Sequence, residues 1–304
     1  MIKKHIIIAM NNIIFKFLQN ILWHMPKAFA HKVLYFLAYK KTLNLRYPID
    51  FDEKIQWLLV NVLDDRYKDY VDKVKVREYV KKKGLGETLI PVYGVWENCN
   101  DIDLSKLPNE FVLKTNHGSG PDYYSIVFDA NDKAAVQKSF DLLNSSLKKN
   151  FCKHACEYQY KNIKPLVYAE ELLHSDSNNK RVNDYKFYCF HGKPYCVLTM
   201  LSRDQGEAYF DLDYQLIPGY LIDGCEKEAV NTKKPENFDK MIEIARILSE
   251  DFTFARIDLY NIKGKIYFGE ITLSPAGGRD FELTDKAQKE LGSLLDLSEL
   301  KRGS

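Results

Sequence analysis

Residues 254–278, FARIDLYNIKGKIYFGEITLSPAGG, constrain this chain more than any other stretch, because they read as a β-hairpin carrying charge where a sheet ordinarily excludes it. Residues 254–260 form a run rich in aromatic and β-branched side chains, 261–264 a turn that ends in glycine, and 265–272 a second strand. Asp258 and Glu270 fall inside the two strands, and Arg256 precedes the first acid by two residues. A half-buried carboxylate requires a cation, a metal or a solvated face. Two separately solvated acids are the plain reading; a shared ligand is the other. Side chains alternate along a strand, so the residue count between the acids decides. A three-residue loop, or a bulge at Gly264 with positive φ, brings them to one face, whereas a plain two-residue turn sends them to opposite faces.

The rest of the chain is large enough to give such a hairpin a substantial setting. Its 304 residues suggest two or three subdomains, with 45% hydrophobic and 28% charged residues as in ordinary globular proteins. The net charge of +2 argues against a dedicated nucleic-acid binder. Its distribution is uneven. Eight Lys and Arg and no acid occur before Asp50, so the remaining residues carry a net −6. The six cysteines form no CxxC pair and read as reduced cytosolic thiols; only Cys152 and Cys156, at i,i+4 spacing, have a helical metal-binding arrangement.

Residues 5–23 are apolar but interrupted by Asn11, Asn12, Lys16, Gln19 and Asn20, which leaves no clean bilayer span and no secretory cleavage site. The pattern predicts an amphipathic helix. It packs on the body of a cytoplasmic protein or, through the basic segment 1–46, makes a peripheral contact with an anionic membrane.

Helical patterns are expected from Asp50 to Leu63 and over 69–83, the second closed by Gly84 and Gly86. Strands are expected over 91–96 and 111–115, the latter running into Asn116-His117-Gly118-Ser119-Gly120. Small residues after a strand let backbone N–H groups close over an oxyanion, and Lys114 at the strand end can neutralise it. The spacing fits neither a Walker A motif nor GxGxxG. A helix over 131–148, a strand VYAEELL over 167–173, and a hairpin made of 184–189 and 195–201 follow, with Arg203 just beyond. In that hairpin Asp184, Lys186 and Tyr188 share a face, which reads first as a structural pair. Asp211-Leu-Asp213 has the DxD form of metal-dependent glycosyltransferases, although its aromatic neighbours suggest packing. Residues 235–252 form the best amphipathic helix, expected to lie against the sheet that holds the opening hairpin.

With these segments in order, the chain resembles the ATP-grasp ligases. ARIDLYNIKGKIYFGEITLSPAGG is similar to their metal-binding hairpin, and YPIDFDEKIQW, DKVKVREYV, LPNEFVLKTNHGSG and DYKFYCFHGKP resemble the teichuronopeptide-biosynthesis branch across residues 47–297. The resemblance implies an α+β fold in which two subdomains grip ATP between antiparallel sheets, with a helical N-terminal extension. The expected division is 1–46 extension, 47–106 substrate-side region, 107–168 small subdomain and 169–304 C-terminal subdomain. It further implies that Lys73 and Lys114 meet ATP phosphates, that His117, Gly118, Ser119 and Gly120 cover them, and that Glu170, Glu171 and Leu173 lie near adenine and ribose. Lys186 and Arg203 would face phosphate and the carboxylate substrate, Asp258 and Glu270 would hold Mg2+, and Arg256 would stabilise the transition state. Thr272 stands where many relatives have Asn, a weaker oxygen donor to the metal.

The activity so implied is ATP-dependent joining of a small-molecule carboxylate and an amine through an acylphosphate, in envelope or capsular polysaccharide synthesis. Two other readings stay open: a glycosyltransferase using Asp211 and Asp213, and a non-catalytic ATP-binding protein.

Overall fold

The computed structural model describes residues 21–175, 182–201 and 205–302. Arg203 and most of the amphipathic segment 5–23 lie outside the described residues. The N-terminal region is helical. Helix α1 (Lys27–Tyr39) is followed by α2 (Phe51–Asn61), whose first turn carries Asp52 and Glu53 where the helix dipole favours acids. The charged helix expected over 69–83 is broken in two. The Asp72 carboxylate accepts from the backbone N–H groups of Val74 and Lys75 at 2.9 and 3.2 Å, leaving a single turn before it and α3 (Val76–Lys82) after it.

A four-stranded antiparallel sheet comes next, made of β1 (Val92–Trp96), β2 (Phe111–Thr115), β3 (Tyr124–Val127) and β4 (Val167–Glu170) in the order β1-β4-β2-β3. One face packs Phe111, Leu113, Val127, Val167 and Ala169 against Val136, Phe140 and Leu143 of α4 (Lys133–Leu147). Alternation therefore sends Val112, Lys114, Tyr124, Ile126, Tyr168 and Glu170 to the other face. Strand β1 joins this sheet although the sequence placed it in the preceding region. Strand β4 is shorter than VYAEELL, because the Glu171 N–H turns aside to the Pro91 carbonyl.

The second sheet has five antiparallel strands, β5 (Asp184–Phe190), β6 (Lys193–Met200), β7 (Glu207–Phe210), β8 (Phe254–Ile262) and β9 (Lys265–Thr272), in the order β7-β6-β5-β8-β9. Helix α5 (Phe238–Ser249) covers one face, burying Phe238, Met241, Ile244, Ala245 and Leu248 in the core that includes Phe187 and Ile257. The opposite face is divided. Phe51 of α2 packs at a tilt on Tyr188 and edge-on against Phe190 and Phe254 at one end, backed by α6 (Asp285–Leu294), while the other end looks towards the small sheet.

Candidate active site

Between the two sheets lies a cleft of about 470 Å³, lined by Val112, Lys114, Tyr168 and Glu170 from above and Asp184, Lys186, Asp258, Tyr260 and Glu270 from below. Its floor can be read as rows across the large sheet. Lys186, Asp258 and Glu270 are cross-strand neighbours in one row, flanked by Asp184 and Tyr260 in the row before and by Tyr188, Arg256 and Thr272 in the row after.

Asp258 and Glu270 therefore share a face, by a route different from the two the sequence allowed. The turn is the plain two-residue kind: Ile262 pairs with Lys265, and Lys263 and Gly264 both have positive φ (48° and 77°) as a type I′ turn demands. With that parity Asp258 would face Gly269, and Glu270 would point to the opposite side. A bulge at Gly269 restores the match, since Leu259 still pairs with Phe268 but Asp258 pairs with Glu270. Glycine is needed at that point because a Cβ there would stand 2.9 Å from the Asp258 carbonyl oxygen.

The Arg256 guanidinium grips Asp258 through two hydrogen bonds of 2.7 Å, from Nε to Oδ1 and from Nη2 to Oδ2. Lys186 Nζ donates to the same Oδ2 at 2.9 Å and also pairs with Asp184. Lys73 Nζ lies 3.1 Å from Glu270 Oε2, and Arg256 Nη2 lies 3.6 Å from Oε1. Lys73, Lys186 and Arg256 thus balance Asp184, Asp258 and Glu270. Burial would raise the Glu270 carboxyl, but the charges of Lys73, Arg256 and Lys186 outweigh it and hold the group at about 2. Burial raises Asp184 in spite of Lys186, and Asp184 Oδ1 is buried with no hydrogen-bond partner.

The loop after β2 is fixed from behind. Asn116 Nδ2 donates to Asp72 Oδ2 at 2.9 Å and to the Lys164 carbonyl at 3.0 Å, while Asn116 Oδ1 accepts from the Leu166 N–H at 2.7 Å. The Lys73 N–H donates to the Asn116 carbonyl and Lys73 Nζ to the Gly118 carbonyl, at 3.1 and 3.0 Å, so lysine and loop are held together. Gly118 has no room for a side chain, since a Cβ would fall 2.1 Å from the Tyr123 ring. Gly118, Ser119 and Gly120 line the cleft.

His117 departs from expectation. It does not line the cleft: its ring is 4% exposed, meets Tyr123 edge-on and donates from Nε2 to the Lys149 carbonyl at 3.3 Å. Burial lowers its pKa, which makes it a neutral support for the loop. Thr272 also lies off the cleft wall, where its hydroxyl accepts from Arg256 at 3.2 Å and donates to Glu270 at 3.3 Å. Lys114 pairs with Glu170 across the cleft roof, and Glu171 and Leu173 line the wall beside them.

Asp211 and Asp213 sit in the turn after β7, outside the cleft, and Asp211 Oδ1 accepts from the Asp213 and Gln215 N–H groups at 2.9 and 2.7 Å. That carboxylate is occupied in holding its turn. Cys152 and Cys156 are buried, and burial pushes their thiols up to about 12 and about 11. Asp184, read from the sequence as a structural pair with Lys186, stands on the cleft floor, whereas Gly269 and the Asp72–Asn116 clamp were not singled out. Only Gly269, immediately before an in-strand acid, carried a local signal.

Asp258 and Glu270 fit a hard divalent cation. Among the described residues no three ligating side chains form a ready-made metal cage. Mg2+ commonly uses one or two carboxylates and completes its shell with substrate phosphates and water. Two antiparallel sheets closing on a cleft floored by an Arg-x-Asp strand and a Glu-bearing strand define the ATP-grasp class. The family model described as TupA-like ATPgrasp matches residues 53–296, and the chain belongs to that family. No curated protein matches the sequence.

Among solved structures, D-alanine–D-alanine ligase from Helicobacter pylori is 18% identical, with 75% of this chain and 61% of that chain covered and a TM-score of 0.44. The ATP complex of the Bacillus anthracis D-alanine–D-alanine ligase is 14% identical, covering 77% and 67% with a TM-score of 0.48. The L-amino acid ligase from Bacillus licheniformis is 13% identical, covering 75% and 50% with a TM-score of 0.45. The chain thus spans between half and two thirds of the length of these three proteins.

Proposed function

We propose that the protein is an ATP- and Mg2+-dependent carboxylate–amine ligase. It joins an amino acid or other amine to a uronic-acid-type carboxyl group in the synthesis of a cell-envelope or capsular polysaccharide. The observation that carries this reading is the charge lattice on the cleft floor, where Arg256, Lys186 and Lys73 surround Asp258 and Glu270. In such a transfer the substrate carboxylate oxygen attacks the γ-phosphorus and ADP leaves. The amine nitrogen then attacks the acyl carbon, phosphate departs and one proton is released. The protein's task is positioning and charge neutralisation.

Lys73, Lys114 and the backbone of Gly118, Ser119 and Gly120 bind phosphates in this reading, and Glu170, Glu171 and Leu173 hold adenine and ribose. Asp258 and Glu270 hold Mg2+, which draws charge from the phosphates. Lys186 and Arg256, with Arg203 proposed from sequence, face the acylphosphate. His117 and Thr272 support rather than touch. The test is ADP release from ATP and Mg2+ in the presence of pooled uronic acids and amino acids. Amine-dependent release that disappears in Glu270→Gln is expected. Hydrolysis of a sugar nucleotide with indifference to ATP would overturn the reading in favour of a glycosyltransferase.

The N-terminal side is proposed to rest on the inner face of an anionic membrane. Phe29, Lys32 and Phe36 recur at helical spacing along α1, with Lys40 at its C-cap, and all four are exposed, Phe29 and Phe36 at 49% and 51%. Among the described residues no helix is long and apolar enough to cross a membrane, so the contact would be peripheral.

A further inference from the structure

A single side chain, Lys73, joins the glycine loop to the hairpin that carries the acids. Its Nζ donates to the Gly118 carbonyl at 3.0 Å and lies 3.1 Å from Glu270 Oε2. Its backbone N–H donates to the Asn116 carbonyl at 3.1 Å, so the lysine is anchored to the loop rather than to the floor. Lys73, Gly118 and Glu270 all line the cleft. The lysine and glutamate side chains are 17% and 29% exposed, so their ion pair is open to a group bound there.

The other acids are held in the same way. Arg256 and Lys186 engage Asp258, Lys186 also engages Asp184, and on the roof Lys114 pairs with Glu170. Each of these cations, all suited to phosphate, is thus paired with a carboxylate of the same cleft, and the floor is neutral with three charges of each sign. A divalent cation arriving alone meets an ammonium at its ligand oxygen, in a site where repulsion between like charges is weakly screened. A polyphosphate arriving alone draws the cations from the carboxylates and leaves the acids facing its own charge. Together the two restore the balance, because phosphate oxygens take the cations and the freed carboxylate takes the metal.

We infer that Lys73 locks Glu270 against the metal: phosphate oxygens under the glycine loop draw its ammonium away, and the divalent cation is admitted with the nucleotide rather than before it. The inference rests on the ligase reading of the cleft, in which Lys73 meets phosphate while Asp258 and Glu270 hold Mg2+. It adds an order of binding to that reading. A lysine that served phosphate alone would leave metal binding by the free protein unchanged when removed, whereas the loss of a lock strengthens it. By linkage, metal and nucleotide raise each other's affinity by the same factor, and Lys73 carries part of that coupling.

The test uses the full chain without nucleotide, titrated with Mn2+, whose free aquo ion is counted by electron paramagnetic resonance. Wild type should bind it weakly. Lys73→Gln, which keeps an N–H donor for the Gly118 carbonyl, and Lys73→Met should each bind with a half-saturation at least about tenfold lower, the size of an ordinary coupling between two sites. The gain should vanish when Lys73→Gln is combined with Glu270→Gln. Lys234→Gln, the same charge change at a surface pair with Asp239, should behave as wild type. Lys73 lies on the cleft wall, outside both hydrophobic cores, so its variants should fold, which their thermal midpoints check. Equal half-saturations in wild type and both Lys73 variants would overturn the lock, as would a gain that persists without Glu270 or appears in Lys234→Gln. Absence of a rise in the wild-type midpoint with ATP and Mg2+ would instead sink the ligase reading, while the Mn2+ comparison, made without nucleotide, still decides the lock.

Discussion

Glu270 is the carboxylate on which the charge balance of the floor turns, since it answers Lys73 directly and Arg256 in part. Its folded pKa, about 2, lies below the ordinary 4.5, so its contribution to stability is present above about 4.5 and is lost as pH falls towards 2. Glu270→Gln should therefore cost on the order of 1–3 kcal/mol at pH 7, a range that allows for its partial exposure, and almost nothing near pH 2. Urea denaturation of both proteins at the two pH values checks this, and an equal deficit at both would contradict it. Arg256 invites a different substitution. Its planar fork holds both oxygens of Asp258 and the Thr272 hydroxyl, which a lysine cannot reproduce. Arg256→Lys keeps the charge and should still reduce turnover about 10²- to 10³-fold, the cost typical of losing a transition-state donor. A steady-state assay showing less than a fivefold loss would remove Arg256 from the chemistry.

In the β8–β9 hairpin two glycines have separable tasks. Gly264 supplies positive φ at the turn, whereas Gly269 makes the bulge that brings Glu270 opposite Asp258. Gly264→Ala should cost about 1 kcal/mol in stability through backbone strain and leave nucleotide affinity unchanged. Gly269→Ala drives a Cβ against the Asp258 carbonyl, so it should cost about 1–3 kcal/mol and also weaken ATP binding in the presence of Mg2+. Thermal midpoints and a nucleotide titration of the two variants separate these effects; unchanged affinity in Gly269→Ala would deny the bulge its role. The same element marks the limit of what the sequence revealed. The in-strand acids, Arg256 and the turn were legible because charge inside a β pattern is conspicuous. The bulge was not, because it is settled by pairing with β8 and leaves only one glycine as a trace. Likewise Lys114 and the Gly118–Gly120 loop were legible from a strand running into small residues. The burial of His117 depends on Tyr123 and Lys149, which no local pattern ties to it.

At the scale of the molecule, function is laid out by charge. The floor of the cleft balances three cations with three carboxylates, Lys114 pairs with Glu170 on its roof, and the first 49 residues carry eight positive charges and no acid. The asymmetry was visible in the sequence, but the aromatic face that accompanies it was not, because which side of α1 is covered depends on where α2 and the segment after β9 pack. The covered side buries Ala30, His31, Leu34 and Tyr35, with His31 Nδ1 2.6 Å from Gln56 Oε1, and this fixes the rotation that leaves Phe29 and Phe36 outside. Inserting two phenylalanines into a lipid surface is worth several kcal/mol at about 1.5–3 kcal/mol for each ring fully buried, and each nearby lysine adds about 1 kcal/mol on an anionic surface. The full chain should therefore float with phosphatidylglycerol-containing vesicles and detach substantially in 0.5 M salt, which screens the lysines. Phe29→Ser combined with Phe36→Ser should reduce the bound fraction more than tenfold while leaving the thermal midpoint within a few degrees, since neither ring is buried in the core. Equal flotation of the wild type and the double variant would show that α1 does not meet the membrane.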